Sequence, residues 1–145
     1  MTLYIEGLVI IVYIKEYKDF KYDEINNLYE QLGWRAYTEN MDALEQGFKN
    51  SLKVLAAYED EKLLGLIRAV GDGFTIVFIQ DFLVLAEQQK KGIGTALIQA
   101  MLSLYPEVRQ IELATDIIPK TIAFYKSQGF RELSEIGCCG FMRLL

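Results

Sequence analysis

The chain has 145 residues, 52% of them hydrophobic and 24% charged, a balance that suits one compact domain with a substantial core and excludes global disorder. Its net charge is −5, which argues against nonspecific nucleic-acid binding, a function that needs a basic face, and is compatible with a cationic substrate such as an amine. It contains no histidine, so a histidine-ligated metal and any Ser-His-Asp or Cys-His mechanism are excluded.

Leu8 to Ile14 is apolar and β-branched and reads as a first strand, buried on both faces. It is too short to cross a bilayer and lacks the basic start and cleavage site of a signal peptide; a cytoplasmic protein without a membrane partner is expected. Asp23 then reads as the cap of a helix carrying Ile25, Leu28, Tyr29 and Leu32 on one face, closed by Gly33. Trp34 to Tyr37 is a connector. Asn40 caps a second helix with Met41, Leu44 and Phe48 on its apolar face. Lys53 to Tyr58 and Leu63 to Val70 read as strands joined by the charged turn Glu59 to Lys62. Gly71-Asp72-Gly73 makes the next hairpin turn, and Thr75 to Leu85 is a long strand.

The strand leads into Gln89-Lys90-Lys91-Gly92-Ile93-Gly94-Thr95. A helix leads out, with Ile93, Ala96, Leu97, Ala100, Met101 and Leu104 on one face. Strand, glycine-rich turn and helix start together build an anion site: first-turn N–H groups have no intrahelical partner, and the helix dipole adds about half a positive charge there. Gly92 and Gly94 keep side chains away from an approaching pyrophosphate, and Lys90 and Lys91 add charge at the mouth. The spacing is that of neither well-known nucleotide loop. There is no Gly-x-x-x-x-Gly-Lys-Ser/Thr, and Leu97 stands where Gly-x-Gly-x-x-Gly requires its third glycine.

After this helix come a short strand, Ile111 to Ala114, and a helix that starts at Pro119, runs to about Ser127 and ends at Gly129. The tail, Arg131 to Leu145, reads as two strands around the Gly137–Gly140 turn. Cys138 and Cys139 are adjacent and do not readily pair; without a second pair they form no zinc ligand set, and free thiols point to a reducing compartment.

Two blocks carry a resemblance to a known family. Phe82-Leu83-Val84 followed by Gln89-x-x-Gly92-x-Gly94 resembles motif A of the GNAT superfamily of N-acetyltransferases, the segment that binds the pyrophosphate of acetyl-CoA. Ala123-Phe124-Tyr125-Lys126-Ser127-Gln128-Gly129-Phe130 resembles its motif B. The two occur in family order, and the resemblance covers residues 50 to 145 closely and the N-terminal third in outline. It implies a single α/β (α+β) domain, with a mixed, mostly antiparallel sheet, helices on both faces, and the order β-α-α-β-β-β-α-β-α-β-β. A bulge in the strand before motif A would splay that strand from the next one. The pantetheine arm of acetyl-CoA would then fill the gap against the backbone of Leu83, Val84 and Leu85. The pyrophosphate would lie on Gln89, Lys90, Lys91, Gly92, Ile93, Gly94 and Thr95.

The resemblance also implies roles in acetyl transfer. Tyr125 is where the family places the acid that protonates the leaving thiolate; spacing alone favours a core tyrosine on a short helix. Asp81 sits near the acetyl position as a proton acceptor or as a buried structural carboxylate. Trp34 and Tyr37 either line the acceptor pocket or belong to the core, and Glu24, Glu39 and Asp42 lie toward the acceptor side. One departure stands out: Ile118 occupies the position where the family often has an asparagine that contacts the CoA arm. The expected activity is transfer of an acetyl group from acetyl-CoA to a primary amine by direct attack in a ternary complex, with no metal. The acceptor is a small-molecule or peptide amine, and a homodimer is compatible. The alternatives are a CoA-binding module without catalysis and a transferase of a longer acyl-CoA.

Overall fold

The computed structural model describes residues 1–145. The chain divides into two compact units, Met1–Ala114 and Thr115–Leu145, described in turn. No helix is long and apolar enough to cross a membrane.

The first unit is built on a five-stranded sheet in sequential order. Its strands are β3 (Tyr13–Glu16), β4 (Lys53–Glu59), β5 (Lys62–Gly71), β6 (Ile76–Val84) and β7 (Gln110–Leu113). Every neighbouring pair is antiparallel except β6 and β7, which are parallel. That is the mixed, mostly antiparallel sheet the sequence predicts. On one face lie α1 (Tyr22–Gln31), the short α2 (Arg35–Thr38) and α3 (Met41–Lys49). Ile25, Leu28, Tyr29, Met41, Leu44 and Phe48 pack there on Val54, Ala56, Leu66 and Leu83. On the other lies α4 (Ile93–Ser103), whose Ile93, Leu97, Ile98 and Met101 are buried. Gly65 lets α4 come close: a Cβ there would meet the Leu83 carbonyl at 2.8 Å and Leu97 Cδ1 at 3.3 Å.

Local signals account for the helix limits. Asn40 caps α3, its side-chain oxygen accepting from the Ala43 N–H at 3.1 Å. At the end of α1, the Gly33 and Trp34 N–H groups return to the Glu30 and Tyr29 carbonyls, a motif that closes a helix and turns the chain. The start of α1 differs from expectation. Lys21 is the N-cap and has no side-chain bond, while Asp23 sits inside the first turn, where its charge still suits the dipole.

The N-terminus corrects a larger expectation. Leu8 to Ile14 is not one doubly buried strand. Leu8–Ile11 forms β2, which pairs only with β1 (Thr2–Ile5) in a separate two-stranded sheet. Leu8 and Val9 are 66% and 61% exposed. The cause is local: Glu6 and Gly7 both take positive φ, 50° and 79°, and make the two-residue turn that matches hairpin twist. The chain therefore folds back on its own start. The Met1 ammonium donates to the Val12 carbonyl and the Val12 N–H to the Met1 carbonyl, at 2.7 and 2.8 Å. β-branched residues made the strand, but its position at the margin left it uncovered.

The second unit holds α5 (Pro119–Ser127), with proline in its first turn. The two strands expected in the tail are not formed. Residues Leu133–Ile136 make a 3-10 turn instead, closed by reciprocal bonds between Glu132 and Glu135 and by left-handed Gly137. Lys126 bridges to both carboxylates, at 3.3 and 3.0 Å. The Cys138 N–H then returns to the Leu133 carbonyl. This wound turn occupies the residues a strand would need. The apolar residues beyond it, Phe141, Met142, Leu144 and Leu145, lack the alternation of a one-faced strand.

Candidate functional site

The site begins with how β6 is paired. From Val77 to Ile79 it is paired on both flanks, with β5 and with β7. Pairing with β7 ends at Ile79–Leu113, yet β6 continues to Val84 paired with β5 alone. From Gln80 onward no strand of the sheet pairs with the flank that faced β7, an edge of the kind to which an extended ligand can add. The register also shifts here. Arg68 is opposite Asp81, while Ala69 is opposite Ile79. Gln80 is the extra residue of a β-bulge.

The bulge changes which way the strand faces. Val77, Ile79, Asp81 and Leu83 are all buried, and simple alternation would put them on one face. With Gln80 bulged, Val77 and Ile79 lie on the α4 side, while Asp81 and Leu83 lie on the side of α1 and α3. Asp81 thereby meets α1 and β5. Its Oδ2 accepts from Tyr29 Oη at 2.8 Å and from Arg68 Nε at 2.6 Å, and both ion-paired side chains are at most 6% exposed. Oδ1 has no hydrogen-bond partner. Arg68 also donates to Ser51 Oγ at 3.2 Å and stacks its guanidinium on the Phe48 ring. Burial works against the Arg68 charge, but Asp81 outweighs it and raises the pKa. Burial and then the neighbouring Asp81 charge push Tyr29 well above the usual phenol range. The carboxylate expected near the acetyl position is thus a buried, ion-paired group. Arg68 and Tyr29, which hold it, were not singled out in the sequence, because they lie 13 and 52 residues away.

Above this pair is an aromatic group. Trp34 and Tyr37 stack at 5.8 Å, and both meet Tyr29 edge-on. Gln80, exposed at the bulge, donates from Nε2 to Tyr37 Oη at 2.9 Å. Burial, opposed by the Gln80 bond and reinforced by Asp81, raises the Tyr37 pKa. Trp34 and Tyr37 are half-buried, so they belong to the rim of the core and also offer surface beside the bulge. Glu24 lies elsewhere: it accepts from the hydroxyls of Tyr17 and Tyr58 at 2.9 and 3.2 Å.

β6 runs directly into the glycine loop. Leu85 donates its N–H to the Leu64 carbonyl, and a 3-10 turn covers Ala86–Gln88. The Gln89 side chain donates to the Val84 carbonyl at 3.0 Å, which ties the loop to the end of the strand. Lys90 has φ 65° and Gly92, the N-cap of α4, has φ 85°. No side chain caps α4. Its first bond is from Ala96 N–H to the Gly92 carbonyl, so the N–H groups of Ile93, Gly94 and Thr95 precede the helical ladder. The two glycines differ. At Gly92 an added Cβ would find only the Met1 methyl, at 4.0 Å, and the conformation is what requires glycine. At Gly94 it would face Phe82 and Val84 at 3.6 to 3.8 Å. The missing side chain of Gly94 therefore points at the sheet rather than at the mouth of the loop.

In the second unit, Tyr125 lies on α5 between Phe124 and Phe130, with ring centroids at 5.3 and 5.9 Å. The Phe130 N–H returns to its carbonyl at 3.1 Å. Burial raises its pKa, so the phenol stays protonated through neutral pH. The N-cap of α5 is Ile118, which supplies no side-chain acceptor.

The sequence matches the model of the acetyltransferase (GNAT) family over residues 17–130. No protein of curated function matches it. Among solved structures, it is 36% identical to a GNAT-family acetyltransferase of Streptococcus pneumoniae, with a TM-score of 0.84 over 93% of this chain and 98% of the other. A Staphylococcus aureus protein described as a probable acetyltransferase superposes with a TM-score of 0.74 at 21% identity, over 92% of this chain and all (100%) of the other. An aminoglycoside acetyltransferase from an uncultured soil sample, solved with sisomicin, gives 0.69 at 18% identity over 92% and 96% of the two chains. The last two likenesses speak for the fold alone. With the family match spanning both units, and a bulged strand feeding an uncapped helix, the chain belongs to the GNAT acetyltransferase family.

Proposed function

We propose that this protein transfers the acetyl group of acetyl-CoA to a primary amine, by direct attack of the amine in a ternary complex. The observation that carries the reading is the continuity of two features on one segment: the one-sided stretch of β6 from Gln80 to Val84, and the uncapped start of α4 at Gly92. The first suits the amides of a pantetheine arm, with Leu83, Val84 and Leu85 supplying backbone partners other than the Leu85 N–H, which already donates to the Leu64 carbonyl. The second suits a pyrophosphate, received by the N–H groups of Ile93, Gly94 and Thr95 with Lys90 and Lys91 beside them. Gln89 serves by holding the loop to Val84. The two units act as one catalytic domain, a reading the family match across their junction supports.

The amine must be neutral to attack, and the thiolate must be protonated as it leaves. Tyr125 takes the second task; its raised pKa keeps the proton available. An N–H near the end of β6 steadies the developing oxyanion. Trp34 and Tyr37 line the acceptor side. Asp81, at 1% exposure, does not touch the amine, and its part is to hold the strand.

The test is a panel of primary amines, followed by release of the CoA thiol. Turnover is expected with at least one class of amine, and Tyr125→Phe should lower it about 100-fold, within the usual range for lost acid catalysis, while CoA affinity stays as it was. A protein that binds CoA but acetylates no amine is a binding module, and the reading fails.

A further inference from the structure

The buried Arg68–Asp81 pair is poorly explained as a source of stability. Two charges are withdrawn from water, and one carboxylate oxygen, Oδ1, is left without a partner. A buried ion pair of this kind does no better than well-packed apolar side chains of similar size, and its best-attested use is to specify register. The pair stands at the last matched position before the register shifts: Arg68 opposite Asp81, then Ala69 opposite Ile79. Asp81 reaches Arg68 and Tyr29 only if the extra residue lies before it. If the bulge slipped toward the C-terminus, Asp81 would turn to the α4 face, among Leu97 and Met101, with its charge buried and unpaired. Ile79 stays opposite Ala69 only if the extra residue lies after it. The bulge is confined to Gln80.

We propose that Arg68 and Asp81 are positioning residues, a register lock that sets the bulge at Gln80 and so fixes where β6 parts from β7. The inference rests on the proposed use of that gap by acetyl-CoA. It explains why the bulge, the end of β6–β7 pairing and the ion pair fall at one place. It also gives Gln80 a second consequence, since the bulged side chain reaches Tyr37 beside the gap. An apolar residue at position 81 would be content on either face, and the bulge would then be free to migrate along the strand.

The test replaces both charges together, Arg68→Met with Asp81→Leu, so that neither is stranded. The melting temperature should fall only modestly, since no charge is stranded and the Tyr29 hydroxyl is the buried group left without its acceptor. The amides from Ile79 to Leu83 should show more than one set of NMR signals, as the bulge samples several positions. In steady-state assays kcat/KM for acetyl-CoA should fall about 100-fold, the loss that misplacement by about 1 Å produces. The loss should appear in the KM for acetyl-CoA and not in that for the amine, a split that a merely structural role would not produce. Arg68→Lys, which keeps the charge, should retain most of the affinity. A folded double variant with one set of β6 signals and an unchanged KM for acetyl-CoA overturns the proposal.

If that variant does not fold, deletion of Gln80 carries the test. The deletion brings Asp81 and Ile79 together opposite Arg68 and Ala69, so every side chain keeps its face. It should fold with a regular strand and lose acetyl-CoA; undiminished binding overturns the proposal. A wild-type protein that binds no acetyl-CoA sinks the proposed function instead, while the amide signals of the double variant still judge the lock.

Discussion

The two halves of β6 share one strand and do different work. From Val77 to Ile79 the chain is paired on both flanks, and Val77 and Ile79 are buried against α4. From Gln80 to Val84 strand pairing is on the β5 flank alone, the first residue bulges out, and the second is a buried carboxylate. The first half has its backbone valences filled and can only support. The second is strand-paired on one flank only, and it is held still by what packs on its faces: Tyr29 and Arg68 on one, α4 through Gly94 on the other. A strand binds a ligand where pairing stops while burial continues.

This difference is open to direct attack. The largest effect expected is in the supporting half. Ile79→Ala removes a fully packed side chain and should cost about 3 kcal/mol of stability, as measured by denaturant unfolding. Acetyl-CoA affinity of the folded fraction should not change. A fall in that affinity as large as the fall in stability would mean the halves are not separable.

Gly94→Val probes the binding half through its packing. The added methyls would press on Phe82 and Val84. Overpacking of this kind costs about 2 kcal/mol, and it should weaken acetyl-CoA by moving α4 off the strand. Gly92→Ala should be milder for the fold, about 1 kcal/mol for a left-handed alanine, with its effect again on acetyl-CoA. Calorimetric titration beside thermal melts separates the two. Equal affinity in wild type and both variants would remove the loop from the site.

A smaller effect concerns pH. Burial raises the Tyr125 pKa above the ordinary tyrosine value of about 10. The acid form is the working form, so turnover should rise as the amine loses its proton and should fall only above that value. A decline in kcat well below pH 10 that vanishes in Tyr125→Phe would contradict the assignment.

The supporting frame and the glycine loop were legible in the sequence because their signals are local. Thr75 to Leu85 reads as a strand from its composition, Asn40 as a cap from its place before an apolar period, and Gln89 to Thr95 as an anion loop from glycine and lysine spacing. The bulge was not legible. Val77, Ile79, Asp81 and Leu83 alternate without a break, and nothing in that alternation says that the strand changes face at Gln80. Nor was the ion pair, since Arg68, Asp81 and Tyr29 meet only once β5, β6 and α1 are assembled. The N-terminal hairpin had a local signal, Glu6-Gly7, that the apolar run after it obscured. In the tail, the spacing of Glu132 and Glu135 marked a capped turn where strands were expected.

The most direct test of the account is backbone amide exchange along β6 and the start of α4, with and without acetyl-CoA. Acetyl-CoA should slow exchange within Gln80–Val84 and at Ile93, Gly94 and Thr95. Val77–Ile79, already paired on both flanks, should exchange slowly in either case. Saturating acetyl-CoA that leaves Gln80–Val84 unprotected, or that protects both halves of the strand alike, would contradict this reading of the strand.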